Sequence, residues 1–498
     1  MTGLDQLPAE LYAAIVDHLC PGQERQSSLA SLLLAIPRLP VSDHLLYEEI
    51  YLTHRKQAPL LYRTLRQRKG DALRVRVFSY HCWQADAPQV VNVVSLLKNV
   101  RELSLWIGTD FSPEDLEEMF DKPRDDLLLL SLRFRPYVRR ATYYQFMAGA
   151  YFDSTIERLS QWPRASLPSL SIVQEPLPTA EDGGNTESFA QPFVFFHLQP
   201  VGDLAASPYV STVRSLRFRV PTRFVARQLC GQDHVLPSVE HLDLSTTRLS
   251  TLDLETLVSR LACLQHLVLD GCPLMPTRDG PLEVEDMGPW QSLGVLLAVA
   301  GMQRSKTKER QYKAWAQGGR KKPAGGNAAK PAHLSLALGG LSIDNSSAEL
   351  PEQIHIIPPI PTISSFAITV PMISPDKEDF DADARKVREA FARGWENGLH
   401  RMTEKRTRIR NSWARLNAVV YKMDPQDYVF TVPLNAGTSN VGNVGNVMHG
   451  LTKVEDIREF DFQPPPCPVL CLVGPGRHNN HPEGCSHRVA WGMWSDEL

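Results

Sequence analysis

Long apolar runs are what this 498-residue chain lacks most. The longest near its middle, LGVLLAVAGM from Leu293 to Met302, is about half a membrane span. It leads straight into the basic QRSKTKERQYK. The opening LPAELYAAIVDHL is too short and too polar to span, and it lacks the basic flank of a signal peptide. No membrane partner is expected. Excess charge of one sign is also missing: 53 Lys and Arg stand against 56 Asp and Glu, for a net charge of −3. That balance argues against a general nucleic-acid or membrane-surface binder. Cysteine is sparse, with eight residues scattered at 20, 82, 230, 263, 272, 467, 471 and 485. Reduced thiols in the cytoplasm or nucleus are the natural reading. Catalytic signatures are absent too. There is no nucleophile elbow with a Ser-His-Asp set and no phosphate-cradling G-x-x-x-x-G-K-[ST]. The glycines of VGNVGNVMHG lack the strand before and helix after that a dinucleotide site needs. No enzymatic activity and no cofactor is expected.

What is present is a returning strand motif. LQHLVLDGC sets Leu264, Leu267, Leu269 and Cys272 in the L-x-x-L-x-L-x-x-C frame of a leucine-rich repeat. VEHLDLSTT places Val239, Leu242 and Leu244 in the same frame, and VRSLRFRV places Val213, Leu216 and Phe218. The steps from Leu216 to Leu242 and on to Leu267 are 26 and 25 residues, within the repeat range. VRELSLW (Val100, Leu103, Leu105), LLLSLRF (Leu129, Leu132, Phe134) and LPSLSIV (Leu167, Leu170, Ile172) are further instances. Helical stretches such as PQVVNVVSLLKN, SPEDLEEMF and TLDLETLVSRLA lie between them. Strand then helix, repeated with short links, predicts an α/β fold: an irregular right-handed solenoid with a parallel sheet along one side.

Residues between the leucines then point outward from that sheet. The outward candidates for binding a protein substrate are Arg133, Arg135, Arg217, Arg219, His241, Asp243, His266 and Asp270. Four arginines against two acids predict a basic stretch suited to an acidic or phosphorylated segment. Neutralisation by loop acids or by a long inserted helix is the rival account, and solvation of the sheet is the plain one.

Later the frame loosens. AHLSLAL (Leu334, Leu336), ISSFAIT (Ile363, Phe366, Ile368) and IREFDF (Ile457, Phe460, Phe462) still fit it, with insertions between. GGRKKPAGGNAAKPA reads as a mobile loop. The eight basic residues from Arg304 to Lys322 suit a solvated loop better than a nuclear-import patch. Apolar residues three or four apart from about 383 to 421, among them Val387, Trp395, Ile409, Trp413 and Val420, predict a long helix on the solenoid's flank that Asp424-Pro425 ends.

The opening stretch carries an apolar stripe of Leu7, Leu11, Ile15 and Leu19, widened by Tyr12 and Val16. Asp5 is the expected N-cap, with Pro8 in the first turn. Leu7, Pro8, Glu10, Leu11, Ile15 and Leu19 resemble, position by position, the F-box pattern L-P-x-E-(apolar)-x-x-x-I-x-x-x-L. The following SSLASLLLAIPRL and HLLYEEIYL are similar to the rest of that module in fungal F-box proteins with irregular leucine-rich repeats. Pro37 departs from the family's second helix and should end it early. The resemblance implies a three-helix module that binds a Skp-type adaptor, and through it a cullin ubiquitin ligase, while the repeats hold a substrate. Leu7, Pro8, Leu11, Ile15 and Leu19 are the implied adaptor contacts. The alternative is a scaffold whose first helices only cap the solenoid.

The expected organisation is an F-box-like module at 1–66, repeats at 67–303, a basic Gly/Pro/Ala-rich mobile loop at 304–333, and at 334–498 a degenerate continuation with the long helix and a Cys/His tail. That tail gathers Cys467, Cys471, His478, His481, Cys485 and His487 within 21 positions. The C-x3-C spacing is uncommon and no symmetrical pair completes it, so thiols without metal are the preferred reading over zinc.

Overall fold

The computed structural model describes residues 8–19, 22–36, 43–135, 152–176, 194–195, 197–232, 235–275, 287–319, 354–370, 373, 379–416, 418–423, 450–475, 481–491 and 493–494. Among the expectations, Asp5, Leu7, Leu334, Leu336, Asp424, Pro425, His478 and the basic stretch from Arg320 onward lie outside the described residues. The chain divides into two units: 1–293 with 362–393 and 466–498, and 294–361 with 394–465. No described helix is long and apolar enough to cross a membrane.

The first unit is α/β. Among the described residues three helices, α1 (Ala9–Asp17), α2 (Gln23–Ala35) and α3 (Asp43–Tyr47), precede the first strand. Ten strands then form one parallel sheet in chain order: β1 (Glu49–Leu52), β2 (Val77–Tyr80), β3 (Glu102–Ile107), β4 (Leu129–Phe134), β5 (Ser169–Gln174), β6 (Ser215–Arg219), β7 (His241–Asp243), β8 (His266–Val268), β10 (Ser365–Ala367) and β13 (Val469–Cys471). The other described strands, β9 (His355–Ile356), β11 (Val420–Met423) and β12 (Leu451–Lys453), belong to the second unit. The large sheet is open, with β1 and β13 at its edges.

Register explains the repeat. Phe78, Leu103, Leu130, Leu170, Leu216, Leu242, Leu267, Phe366 and Leu470 pair across successive strands and are all buried. On most strands these are the leucine positions of the motif, but β4 corrects the frame: Leu130, not Leu132, pairs with Leu103, so its repeat positions are Leu127, Leu130 and Leu132 rather than Leu129, Leu132 and Phe134. Burial of this row is the main stabilising term of the sheet. Helices between the strands pack on one another in chain order. Two of them begin with a capping box, Ser112 with Asp115 and Ser250 with Asp253. The two best repeats also share their exit turn. Thr246 and Gly271 occupy equivalent places with φ of 66° and 65°, and the Thr246 N–H donates to the Asp270 carbonyl. The left-handed backbone suits the glycine and costs the threonine about 1–2 kcal/mol.

VRELSLW, LLLSLRF, LPSLSIV, VRSLRFRV, VEHLDLSTT and LQHLVLDGC all form strands, as does ISSFAIT. The frame fails at IREFDF, where Ile457–Phe460 is a 3-10 turn. Asp456 and Glu459 make a reciprocal cap there, a local signal that outcompetes one strand-like leucine spacing. The tenth strand comes instead from Val469–Cys471.

The second unit corrects two further expectations. The basic stretch from Arg304 does not begin as a loop: Ala300–Gly319 is a helix, built from good helix formers, with Tyr312 buried against Ile354, Ile356 and Met423. The long helix runs Phe380–Leu416, and Val420 lies in β11, since the β-branched and aromatic Val-Val-Tyr run favours a strand. Trp413 packs on Phe460, with ring centroids 5.6 Å apart. Arg406 is buried there and donates to the carbonyls of Phe460, Pro358 and Glu459.

Candidate functional site

The opening helix divides its apolar residues between two faces. Tyr12 and Val16 are buried, whereas Leu11 and Ile15, one turn apart, are 49% and 46% exposed. Pro8 is exposed and occupies the N-cap place, and Leu19 is half-buried. The helix has no side-chain cap and begins at Ala9, so Pro8 precedes the first turn rather than lying within it. An amphipathic helix satisfied by one face leaves Leu11 and Ile15 as a two-residue apolar ridge in water. α2 ends at Ala35, two residues before Pro37. It is tied to the first strand, because the Tyr51 N–H donates to Gln26, the Gly22 N–H donates to Glu49, and Arg25 lies 3.6 Å from Glu49.

The second candidate surface is the outward face of the large sheet. Alternation places Ser79, Ser104, Ser131, Ser171, Arg217 and Asp243 in one row and Trp106, Arg133, Val173 and Arg219 in the next. The arginines therefore lie on the face the repeat frame assigns them, but they do not make a basic stretch. Arg133 is ion-paired with Glu175, just past β5. Arg219 grips Asp243 with two N–H groups, its Nε 3.1 Å from both oxygens. Arg217 is buried, donates to Ser171 Oγ at 2.7 Å, and stacks its guanidinium 4.8 Å from the Trp494 ring. The acids that neutralise the row come from the sheet itself and from the end of a strand, because a buried guanidinium needs a partner within bonding distance. Burial alone would raise the Asp243 carboxyl. Arg219 and the hydrogen bonds from Ser245 outweigh it and hold the group well below the usual carboxylate range.

The chain's own C-terminal segment lies on part of this face. Ser486 Oγ is 2.7 Å from Ser365 Oγ, and the Ser486 carbonyl is 3.3 Å from His241 Nε2. Ser215 Oγ donates to Met493 Sδ, and Trp494 stands beside His241 and Arg217. His241 and Asp270 are buried beneath this segment, Asp243 is buried against Arg219 and Ser245, and His266 is half-buried, which corrects their assignment as exposed substrate contacts. Burial pushes His241 down to about 4, so its ring is neutral at ordinary pH.

At β2–β4 the outward side chains meet one another instead. His81 and Trp83 stack on Trp106 at 5.1 and 4.8 Å, Arg133 lies over Trp106, and Arg135 lies 4.3 Å over Trp83. His81 Nε2 is 3.0 Å from Ser104 Oγ. Each of these rings and guanidiniums is only half-buried. Sequence reasoning missed Trp83, because VFSY before it has no leucine to mark the frame. It also missed Glu175, Met493 and Trp494, which no local pattern links to the sheet.

In the tail, Cys471, His481, Cys485 and His487 come together, all buried, with one ligand atom of each within 4.8 Å of the others. Cys467 is exposed and is not part of the group. Cys471 Sγ and Cys485 Sγ lie 3.4 and 3.6 Å from His481 Nδ1. His487 Nε2 is 2.5 Å from Asp270 Oδ2, and His487 Nδ1 and His481 Nε2 have no hydrogen-bond partner. No protein-family model matches the chain, and no curated protein matches it significantly.

Proposed function

We propose that this protein is the substrate receptor of a Skp–cullin–F-box ubiquitin ligase, working by binding alone in the cytoplasm or nucleus. α1–α3 then serve as the F-box-like module, and the ordered parallel strands with their intervening helices as an irregular right-handed leucine-rich solenoid. The observation that carries the reading is the ridge of Leu11 and Ile15: both stand at motif positions, and both face water on a helix whose other apolar face is buried. Such a ridge is what helix-in-groove recognition by an adaptor requires. Substrate binding is assigned to the β2–β4 end of the sheet face, where two half-buried tryptophans and two arginines are grouped. Aromatic and arginine side chains are the residue types that dominate protein–protein hot spots.

The bonds from α2 to β1 favour a second reading, in which these helices only cap the sheet. One experiment separates the two. Leu11→Ala with Ile15→Ala in the full chain removes apolar area that is already exposed, so the melting transition should stay where it is. Loss of two interface anchors at about 2 kcal/mol each should weaken adaptor capture roughly 1,000-fold. Undiminished co-purification with the adaptor would leave only the capping role.

A further inference from the structure

The tail cluster has the composition, spacing and burial of a closed metal centre. We propose that Cys471, His481, Cys485 and His487 bind one zinc ion, which clamps the C-terminal segment to the outward face of the sheet.

Geometry is the first support. Tetrahedral zinc with bonds of 2.0–2.3 Å holds its ligand atoms about 3.3–3.8 Å apart. The sulfur-to-nitrogen separations from Cys471 and Cys485 to His481, 3.4 and 3.6 Å, are edges of such a tetrahedron, and all four ligand atoms lie within 4.8 Å. Two thiolates and two imidazoles are the donor set that selects zinc over harder divalent ions. Binding releases the two thiol protons, leaving a site in which two thiolate charges balance the ion.

The orientation of His487 is the second, independent support. Its Nε2 is committed to Asp270, so the nitrogen left to coordinate is Nδ1, and that atom is buried, makes no well-formed hydrogen bond and faces the Cys485 thiol. A carboxylate holding the far nitrogen of a ligand imidazole is the arrangement that fixes tautomer and ring angle in metal sites. Asp270 comes from the exit turn of β8, so the clamp joins three places: the sheet's edge strand through Cys471, the sheet's interior through Asp270, and the tail. Ser486 sits between two of the ligands, and its bonds to Ser365 and His241 place the tail on the face.

Burial separates this reading from a catalytic one. Cys485, His487 and Asp270 would also fit a thiol–imidazole–carboxylate triad, yet both sulfurs are fully buried. A nucleophile must be reachable by its substrate, whereas a structural metal site is closed.

The test uses the full chain purified from zinc-supplemented medium. Elemental analysis should find one zinc per chain, and Cys467→Ser should keep it. Cys485→Ser and Cys471→Ser should lose it. Cobalt exchanged into the wild type should show tetrahedral ligand-field bands and sulfur-to-cobalt charge transfer. Asp270→Asn keeps all four ligands and should weaken zinc affinity 10–100-fold in a chelator competition, so the proposal stays testable if the cysteine variants do not fold. Well under one zinc per chain, a Cys471–Cys485 disulfide in the purified protein, or equal zinc loss in Cys467→Ser would overturn it.

Discussion

Strands β2–β4 and strands β6–β8 follow the same leucine frame, yet their outward rows have different fates. On β6–β8 the row is consumed: Arg219 is locked to Asp243, Arg217 lies under Trp494, and His241 is roofed by Ser486. On β2–β4 the serines are buried and Arg133 is paired with Glu175, but His81, Trp83, Trp106 and Arg135 stack on one another and stay half in water. Sequence-level charge would choose the first region as the binding surface, because it holds more ionisable residues. Pairing reverses that choice. A charge that already has a buried partner offers little to a ligand, while half-buried aromatic rings under arginines retain area to bury.

The comparison breaks most visibly at Arg219. Arg219→Ala leaves the Asp243 carboxylate buried without its cation and should destabilise the first unit by about 3–5 kcal/mol, read by denaturant melts. Acid sensitivity sharpens the same point. Asp243 is depressed in the folded state, so its contribution is complete above the ordinary carboxylate range and is lost as pH falls through the folded value. Without Arg219 the folded value rises toward or past the unfolded one, so this acid-side loss shrinks and the stability gap between Arg219→Ala and the wild type should narrow as pH falls below the ordinary carboxylate range; a gap that does not change with pH would refute the pairing. Trp494→Ala removes the ring over Arg217 and should cost about 2 kcal/mol, with His241 becoming accessible. Gly271→Ala meets no atom closer than 3.7 Å, so only its positive φ counts against it, at about 1 kcal/mol. The smallest effect belongs to the other region. Trp83→Ala with Arg135→Ala should change stability by less than about 1 kcal/mol while weakening substrate capture in cells, and unchanged capture would remove β2–β4 from the binding surface.

Much of the sheet was legible because burial acts on every second residue of a strand. Leu103, Leu132, Leu216, Leu242 and Leu267 each record it directly. β2 escaped because Val75, Phe78 and Tyr80 fill the same positions without a leucine, and β13 because Pro465, Pro466 and Pro468 read as an extended tail. The opening helix was legible as apolar, but not as two-faced: only packing distinguishes buried Tyr12 and Val16 from exposed Leu11 and Ile15. The outward direction of the arginines followed from the pleat. Their partners did not, since Glu175 is 42 residues from Arg133 and Trp494 lies at the far end of the chain. His487 resembled any tail histidine until Asp270, 217 residues away, was found beside it.

The central claim is that one sheet face is roofed at β6–β8 and left half in water at β2–β4. Imidazole modification by diethyl pyrocarbonate, mapped by mass spectrometry on the full chain, tests it at single residues. His81 is half-buried, and His241 is 1% exposed beneath Ser486 and Trp494. Ready modification of His81 with His241 protected until the chain unfolds is the expected result. Modification of His241 at the rate of His81 would contradict the account.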